Sequence, residues 1–105
     1  MSDVSVRELS ERRARGDELV VLDVREDDEL ATASLADCLH IPVAQLPARM
    51  AELPRDRDIV VMCHLGGRSE WATRFLRASG YGRAVNLAGG IDAWSREIDP
   101  EVPRY

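Results

Sequence analysis

Two unbroken apolar runs constrain this chain most: Leu19-Val20-Val21-Leu22, closed by Asp23-Val24-Arg25, and Ile59-Val60-Val61-Met62. Neither alternates with polar residues, and both are rich in β-branched side chains. That pattern suits short strands covered on both faces, as in a parallel sheet. Leu39-His40-Ile41 before Pro42, and Ala84-Val85-Asn86-Leu87, are shorter strand candidates. Helical patterns lie between them. Ser5-Val6-Arg7-Glu8 has the spacing of a capping box and opens a helix running to about Arg15, which Gly16 ends. Leu46, Met50 and Leu53 recur at i, i+4 and i+7, predicting a helix over 44–53. Ala72, Phe75, Leu76 and Ser79 line one face of a helix over 69–79, which Gly80 terminates. Strand and helix in alternation define an α/β fold with a parallel sheet.

The 105 residues read as one domain over 1–105, with no repeats or linkers and with 96–105 as an extended C-terminal tail that Pro100 and Pro103 keep out of regular structure. The N-terminus lacks the basic and apolar segments of a signal peptide, and no apolar stretch reaches spanning length. With two cysteines no disulfide framework is implied, and the cytoplasm, where thiols stay reduced, is the expected compartment. A net charge of −5 argues against nucleic acid or an anionic membrane as partner. Every basic residue is an arginine. The absence of lysine removes Schiff-base chemistry and a Walker-type phosphate lysine. An anion must therefore be held by arginine or by backbone N–H groups.

In open α/β sheets ligands bind beyond the carboxyl ends of the strands, which directs attention to the residues after Met62. There Cys63-His64-Leu65-Gly66-Gly67-Arg68-Ser69 runs from a strand straight into a helix. A thiol at that junction faces unpaired helix N–H groups and the positive end of the macrodipole. Gly66 and Gly67 permit backbone angles that turn successive N–H groups inward as an anion-binding nest. Arg68 adds a fixed positive charge. All three effects favour thiolate, the nucleophilic form, over thiol. The competing reading, a small buried hydrophobe beside a glycine turn, leaves this convergence unexplained.

The same loop resembles the C-x-x-G-x-R-[S/T] active loop of the rhodanese family. Leu22-Asp23-Val24-Arg25 is similar to that family's L-[I/L]-D-V-R segment, Ile41-Pro42 to its I-P, and Leu87-Ala88-Gly89-Gly90-Ile91-Asp92-Ala93-Trp94 to its closing L-x-G-G-x-x-x-W. These marks span nearly the whole chain in the family's order. One departure is clear: Ala33-Ser34-Leu35-Ala36-Asp37-Cys38 stands where the family has G-H-I-P-G-A. The resemblance implies a five-stranded, mostly parallel sheet flanked by helices, and a two-step sulfur transfer without a cofactor. Cys63 would attack the outer sulfur of a small anionic donor such as thiosulfate. The persulfide would be held by the N–H groups of residues 64 to 69, and a thiol or protein acceptor would remove the sulfur in ping-pong order. The tail 99–105 is similar to tails of rhodanese domains attached to adenylating enzymes, which suggests a ubiquitin-like sulfur carrier or its adenylating enzyme as acceptor.

The remaining residues carry expectations of their own. Arg68 is expected to bind the donor anion. Ser69 is expected to cap its helix, with its hydroxyl near the persulfide. Asp23 is expected to brace the loop from the neighbouring strand. Arg25 reads equally as a second anion contact or a surface ion pair, and His64 as a modulator of Cys63 or a solvent-facing side chain. Trp94 is expected to pack below the loop, and Trp71 to wall the pocket or fill the core. Cys38 reads as a buried thiol, since a resolving role requires Cα atoms within about 7 Å. Cys38-x-His40 and Cys63-His64 do not follow zinc spacings, so no metal is expected. Two rivals share the architecture. Phosphatases and arsenate reductases use C-x5-R, whereas four residues separate Cys63 from Arg68. A non-catalytic thiol-sensing or partner-binding module would not need both residues intact.

Overall fold

The computed structural model describes residues 3–105. At its centre β2 (Leu19–Asp23) and β4 (Asp58–Met62) pair in parallel, from Leu19 opposite Asp58 to Asp23 opposite Met62. β5 (Ala84–Leu87) flanks β4 and carries β1 (Asp3–Val4) at its outer side. β3 (Leu39–His40) flanks β2, giving the order β1-β5-β4-β2-β3 with every pairing parallel. The two apolar runs are central strands of this sheet, each with neighbours on both sides.

Side chains on a strand alternate between faces, and the core divides accordingly. Leu22, Ile59, Val61 and Cys63 join Leu46, Leu53, Ala72 and Leu76 on one side. Val21, Val60 and Met62 join Val6, Leu9, Ile91 and Trp94 on the other. Cys63 therefore continues the face begun by Ile59 and Val61. Cys38 packs with the opposite group, which separates the two thiols by the sheet. No helix among the described residues is long and apolar enough to cross a membrane.

The helices differ from the sequence expectations in instructive ways. α1 (Val6–Arg15) begins and ends as expected: Ser5 Oγ accepts the Glu8 N–H at 3.0 Å, and Gly16 is left-handed. α2 (Asp27–Thr32) was invisible to periodicity, because none of its residues is buried. The segment over 44–53 is not one helix. It breaks into a 3-10 turn at Val43–Gln45, a short α3 (Leu46–Arg49) and a second 3-10 turn at Met50–Glu52. Pro47 explains the break, since its missing N–H and its ring prevent a helix from continuing through it. α4 (Gly67–Ala78) starts two residues earlier than expected.

α5 (Gly90–Glu97) includes the first two residues assigned to the tail, and the rest is not a free extension. Ser95 Oγ donates to the Val102 carbonyl, Val102 packs on the second core group, and Arg104 pairs with Asp92 at 2.9 Å. Prolines kept this segment out of helix and sheet without freeing it from the surface.

Candidate functional site

The loop from Cys63 to Ser69 connects the C-terminal end of β4 to the N-terminus of α4. Gly66 is its pivot. At φ 120° and ψ −10° it lies where side-chain-bearing residues are strained, and its N–H points back at Cys63 Sγ, 3.0 Å away. Gly67 has no such conformation; it is simply the first residue of α4. Ser69 does not cap the helix as expected. Gly66 holds the cap position, and Ser69, inside the first turn and fully buried, donates its hydroxyl to Cys63 Sγ at 3.3 Å.

These contacts set the thiol's ionisation. Burial is the largest influence on Cys63 and pushes its pKa up. The Ser69 hydroxyl and the N–H groups of Ser69, Gly66 and Leu65 together outweigh it, and the thiol is held below its ordinary value. Cys38 shows the opposite balance. Burial dominates, its Sγ reaches the Ala36 carbonyl, and its pKa is pushed up to about 11.

From the far side, α5 braces the loop. Ile91 and Asp92 donate their N–H groups to the carbonyls of Cys63 and His64, at 2.9 and 3.1 Å. Gly90 makes that approach possible. It sits at φ 60°, and a Cβ there would collide with the same two carbonyl groups. The glycines of Leu87-Ala88-Gly89-Gly90 are thus part of the site's construction.

The charged residues fall out less simply. Arg25 is neither a surface pair nor an anion contact: it is fully buried. Its Nε and Nη2 bind Asp23 at 2.8–3.2 Å, Nη2 also reaches the Ala33 carbonyl, and Nη1 donates to the Tyr105 hydroxyl at 2.9 Å. Asp23 spends its carboxylate on Arg25, so any support it lends the loop is indirect, through the Asp23–Met62 register of the sheet. Arg68 is held by Glu29, Nη1 to Oε1 at 2.6 Å and Nη2 to Oε2 at 2.8 Å. That fork keeps the Glu29 carboxyl down at about 2.

Tyr105 completes the rim. Its hydroxyl donates to Glu29 Oε2 at 2.9 Å while accepting from Arg25, and its ring stacks on His64 at 3.9 Å between centroids. His64 is therefore packed under the tail rather than open to solvent. Leu65 is exposed, and so is Trp71, which stacks on Phe75 and walls a hollow rather than filling the core. Trp94 is buried in the second core group. Sequence reasoning missed Glu29 and Tyr105. The only local signal was Glu29 standing three residues after Glu26, whose N–H it accepts at 3.0 Å.

Fold and site together define an α/β domain with a strand-to-helix loop wrapped around one acidified cysteine. The chain belongs to the rhodanese family: residues 5–97 match the rhodanese-like domain. It is 40% identical to a sulfurtransferase of Allochromatium vinosum, over 97% of this chain and 95% of that one. It is 31% identical to an adenylyltransferase and sulfurtransferase of Arabidopsis thaliana, over 99% of this chain but 26% of that protein. Among solved structures it resembles a rhodanese-related protein from Thermoplasma volcanium, with a TM-score of 0.85, 34% identity, and 93% and 94% of the two chains covered. The relatives support sulfur transfer as the general activity.

Proposed function

We propose that this protein is a cysteine-dependent sulfurtransferase. In this reading Cys63 takes a sulfane sulfur from thiosulfate or another persulfide donor and passes it to a thiophilic acceptor. The observation that carries the reading is the pair of donors on one sulfur, Gly66 N–H at 3.0 Å and Ser69 Oγ–H at 3.3 Å. A cradle of that kind stabilises the resting thiolate and can serve the persulfide anion that replaces it.

With thiosulfate, the Cys63 thiolate attacks the outer sulfur. A bond forms between Sγ and that sulfur as the donor's S–S bond breaks, and the bonding pair leaves with sulfite. The cradle holds one negative charge before and after the step. The acceptor's nucleophile then attacks the outer sulfur of the persulfide and returns Cys63 as thiolate. This is ping-pong covalent catalysis. A cytoplasmic thiol or protein is the acceptor in this reading. The Arabidopsis relative, in which such a domain occurs with an adenylyltransferase, supports a ubiquitin-like sulfur carrier or its adenylating enzyme in that role.

The test is mass spectrometry of protein incubated with thiosulfate and with an organic persulfide. One sulfur should be added at Cys63 and removed by cyanide. Cys63→Ser should abolish loading and turnover, and Cys38→Ser should keep both. Loading that survives Cys63→Ser, or needs Cys38, would overturn the assignment. An unloaded protein that still binds partners would favour the non-catalytic module.

A further inference from the structure

Resting on that reading, we infer that Glu29 is a positioning residue for donor choice. By holding Arg68, it withdraws the loop's cation from incoming anions and steers the site toward organic persulfides, which carry at most one negative charge, in preference to the thiosulfate dianion.

Four observations converge. Both terminal nitrogens of Arg68 are taken by the two oxygens of Glu29, the bidentate geometry that guanidinium and carboxylate form most strongly. Glu29 is itself pinned, by the Glu26 N–H on Oε1 and the Tyr105 hydroxyl on Oε2. Two further arginines at this end of the sheet are neutralised as well, Arg25 by Asp23 and Arg104 by Asp92. Glu26, Asp27 and Asp28 stand exposed at the start of the same helix that presents Glu29, so the charge left facing solvent beside the Arg68 pair is acidic. A dianion approaches against that field.

The apolar surface points the same way. Val43, Ala44, Trp71 and Arg68 line a shallow, almost wholly apolar hollow of about 310 Å³. With its head turned to Glu29, Arg68 can lend this hollow its aliphatic stem. The organic part of an R–S–SH donor has a place to rest there, whereas thiosulfate has no organic part.

The chemistry suits such a donor. The Cys63 thiolate attacks the outer sulfur of R–S–SH, the new S–S bond forms as the old one breaks, and the pair leaves with the inner sulfur. The proton on the transferred sulfur passes to that leaving thiolate. The products are R–SH and a Cys63 persulfide anion. When the donor reacts in this protonated form only one negative charge is present throughout, and the cradle already holds it. Thiosulfate brings two further charges and releases them on sulfite.

The experiment measures sulfur loading of Cys63 from three small donors: thiosulfate, a dianion, and methanethiosulfonate and 2-hydroxyethyl persulfide, which each carry at most one negative charge. Each variant's kcat/KM is normalised to the wild type, donor by donor. Glu29→Gln should raise the thiosulfate value relative to the persulfide value by about tenfold, the scale of one charge-assisted contact. Methanethiosulfonate, a monoanion, should gain less than thiosulfate. Glu29→Asp, which keeps the charge, should restore the wild-type order, and Tyr105→Phe should shift selectivity as Glu29→Gln does but less. In the wild type, added salt should improve thiosulfate loading relative to the persulfide by screening the acidic rim. A uniform change across the donors in Glu29→Gln, or salt that weakens thiosulfate selectively, would overturn the inference and leave sulfur transfer standing. A wild-type protein that loads from none of the three would remove both.

Discussion

The carbonyl oxygen of Cys63 accepts the N–H of Ile91 at 2.9 Å. Residues far apart in sequence are thereby joined at the site, and Gly90 is what lets α5 come close enough. Gly90→Ala should therefore damage both stability and site. A left-handed alanine costs about 1–2 kcal/mol, on the order of 5–15 °C in Tm for a small domain, and the clash with the Cys63 and His64 carbonyls adds to it. Sulfur loading should fall by more than the loss of folded protein explains, measured below the variant's Tm. Gly82→Ala is the control, because its Cβ meets nothing within 4 Å. Equal effects at the two positions would mean that the α5 brace does not matter.

Ser69→Ala tests what acidifies the thiol. Burial raises the pKa of Cys63 and hydrogen bonding lowers it, with the Ser69 hydroxyl first among the lowering causes. Removing that hydroxyl should move the alkylation midpoint upward, toward or past the free-cysteine value of about 8.5. The sign carries into stability. A depressed folded pKa contributes stability that is complete above the unfolded thiol's pKa and fades as pH falls through the folded value. In Ser69→Ala that fading should be smaller and finish at higher pH, and it should vanish if the folded value reaches that of the unfolded thiol. An unshifted midpoint would assign the acidification to the backbone N–H groups alone.

Much of this was legible beforehand, and each exception has its own physical cause. β2 and β4 announced themselves because central strands are apolar on both faces. The loop stood out because Cys63, Gly66 and Arg68 are neighbours in sequence. α2 left no trace, since a helix with no buried residue has no apolar period. Leu46, Met50 and Leu53 gave a true core pattern but a false helix, because periodicity is blind to the Pro47 break. Ser69 was misplaced by the two extra residues at the start of α4. The partners of Arg68 and Tyr105 were beyond reach altogether: Glu29 lies 39 residues before the one and 76 before the other. An ion pair across such distances has no local signature.

Asp23 and Arg25 form a fully buried pair, and its two halves are not equivalent to lose. Asp23→Asn leaves a guanidinium uncompensated in the interior, which should cost about 3–5 kcal/mol by denaturant unfolding. Arg25→Met removes the buried cation and keeps much of the volume, so it should cost less, although Ala33 and Tyr105 lose a donor. A larger loss in Arg25→Met would show that those backbone and tail contacts, not charge balance, dominate this end of the sheet.

The last expectation separates two chemistries that use a cysteine and an arginine around an anion nest. The protein should transfer sulfur and show no meaningful phosphatase or arsenate reductase activity. Phosphate esters and arsenate present several oxygens that must all meet inward donors around the nucleophile, and C-x5-R loops form a ring wide enough for them. Here the loop is one residue shorter. Its donors, Gly66 N–H and Ser69 Oγ–H, lie against Sγ itself, and Arg68 faces Glu29 instead of closing the ring. A tetrahedral oxyanion would be held outward of the position for in-line attack, and an error of about 1 Å can cost a hundredfold. The check is a parallel assay with thiosulfate plus cyanide, an aryl phosphate, and arsenate plus thiol. Inserting one residue between Gly66 and Gly67 should cut sulfur transfer and admit phosphate weakly. Robust phosphate hydrolysis by the native loop, lost in Cys63→Ser, would show that ring size does not decide between the two chemistries and would overturn the sulfurtransferase assignment.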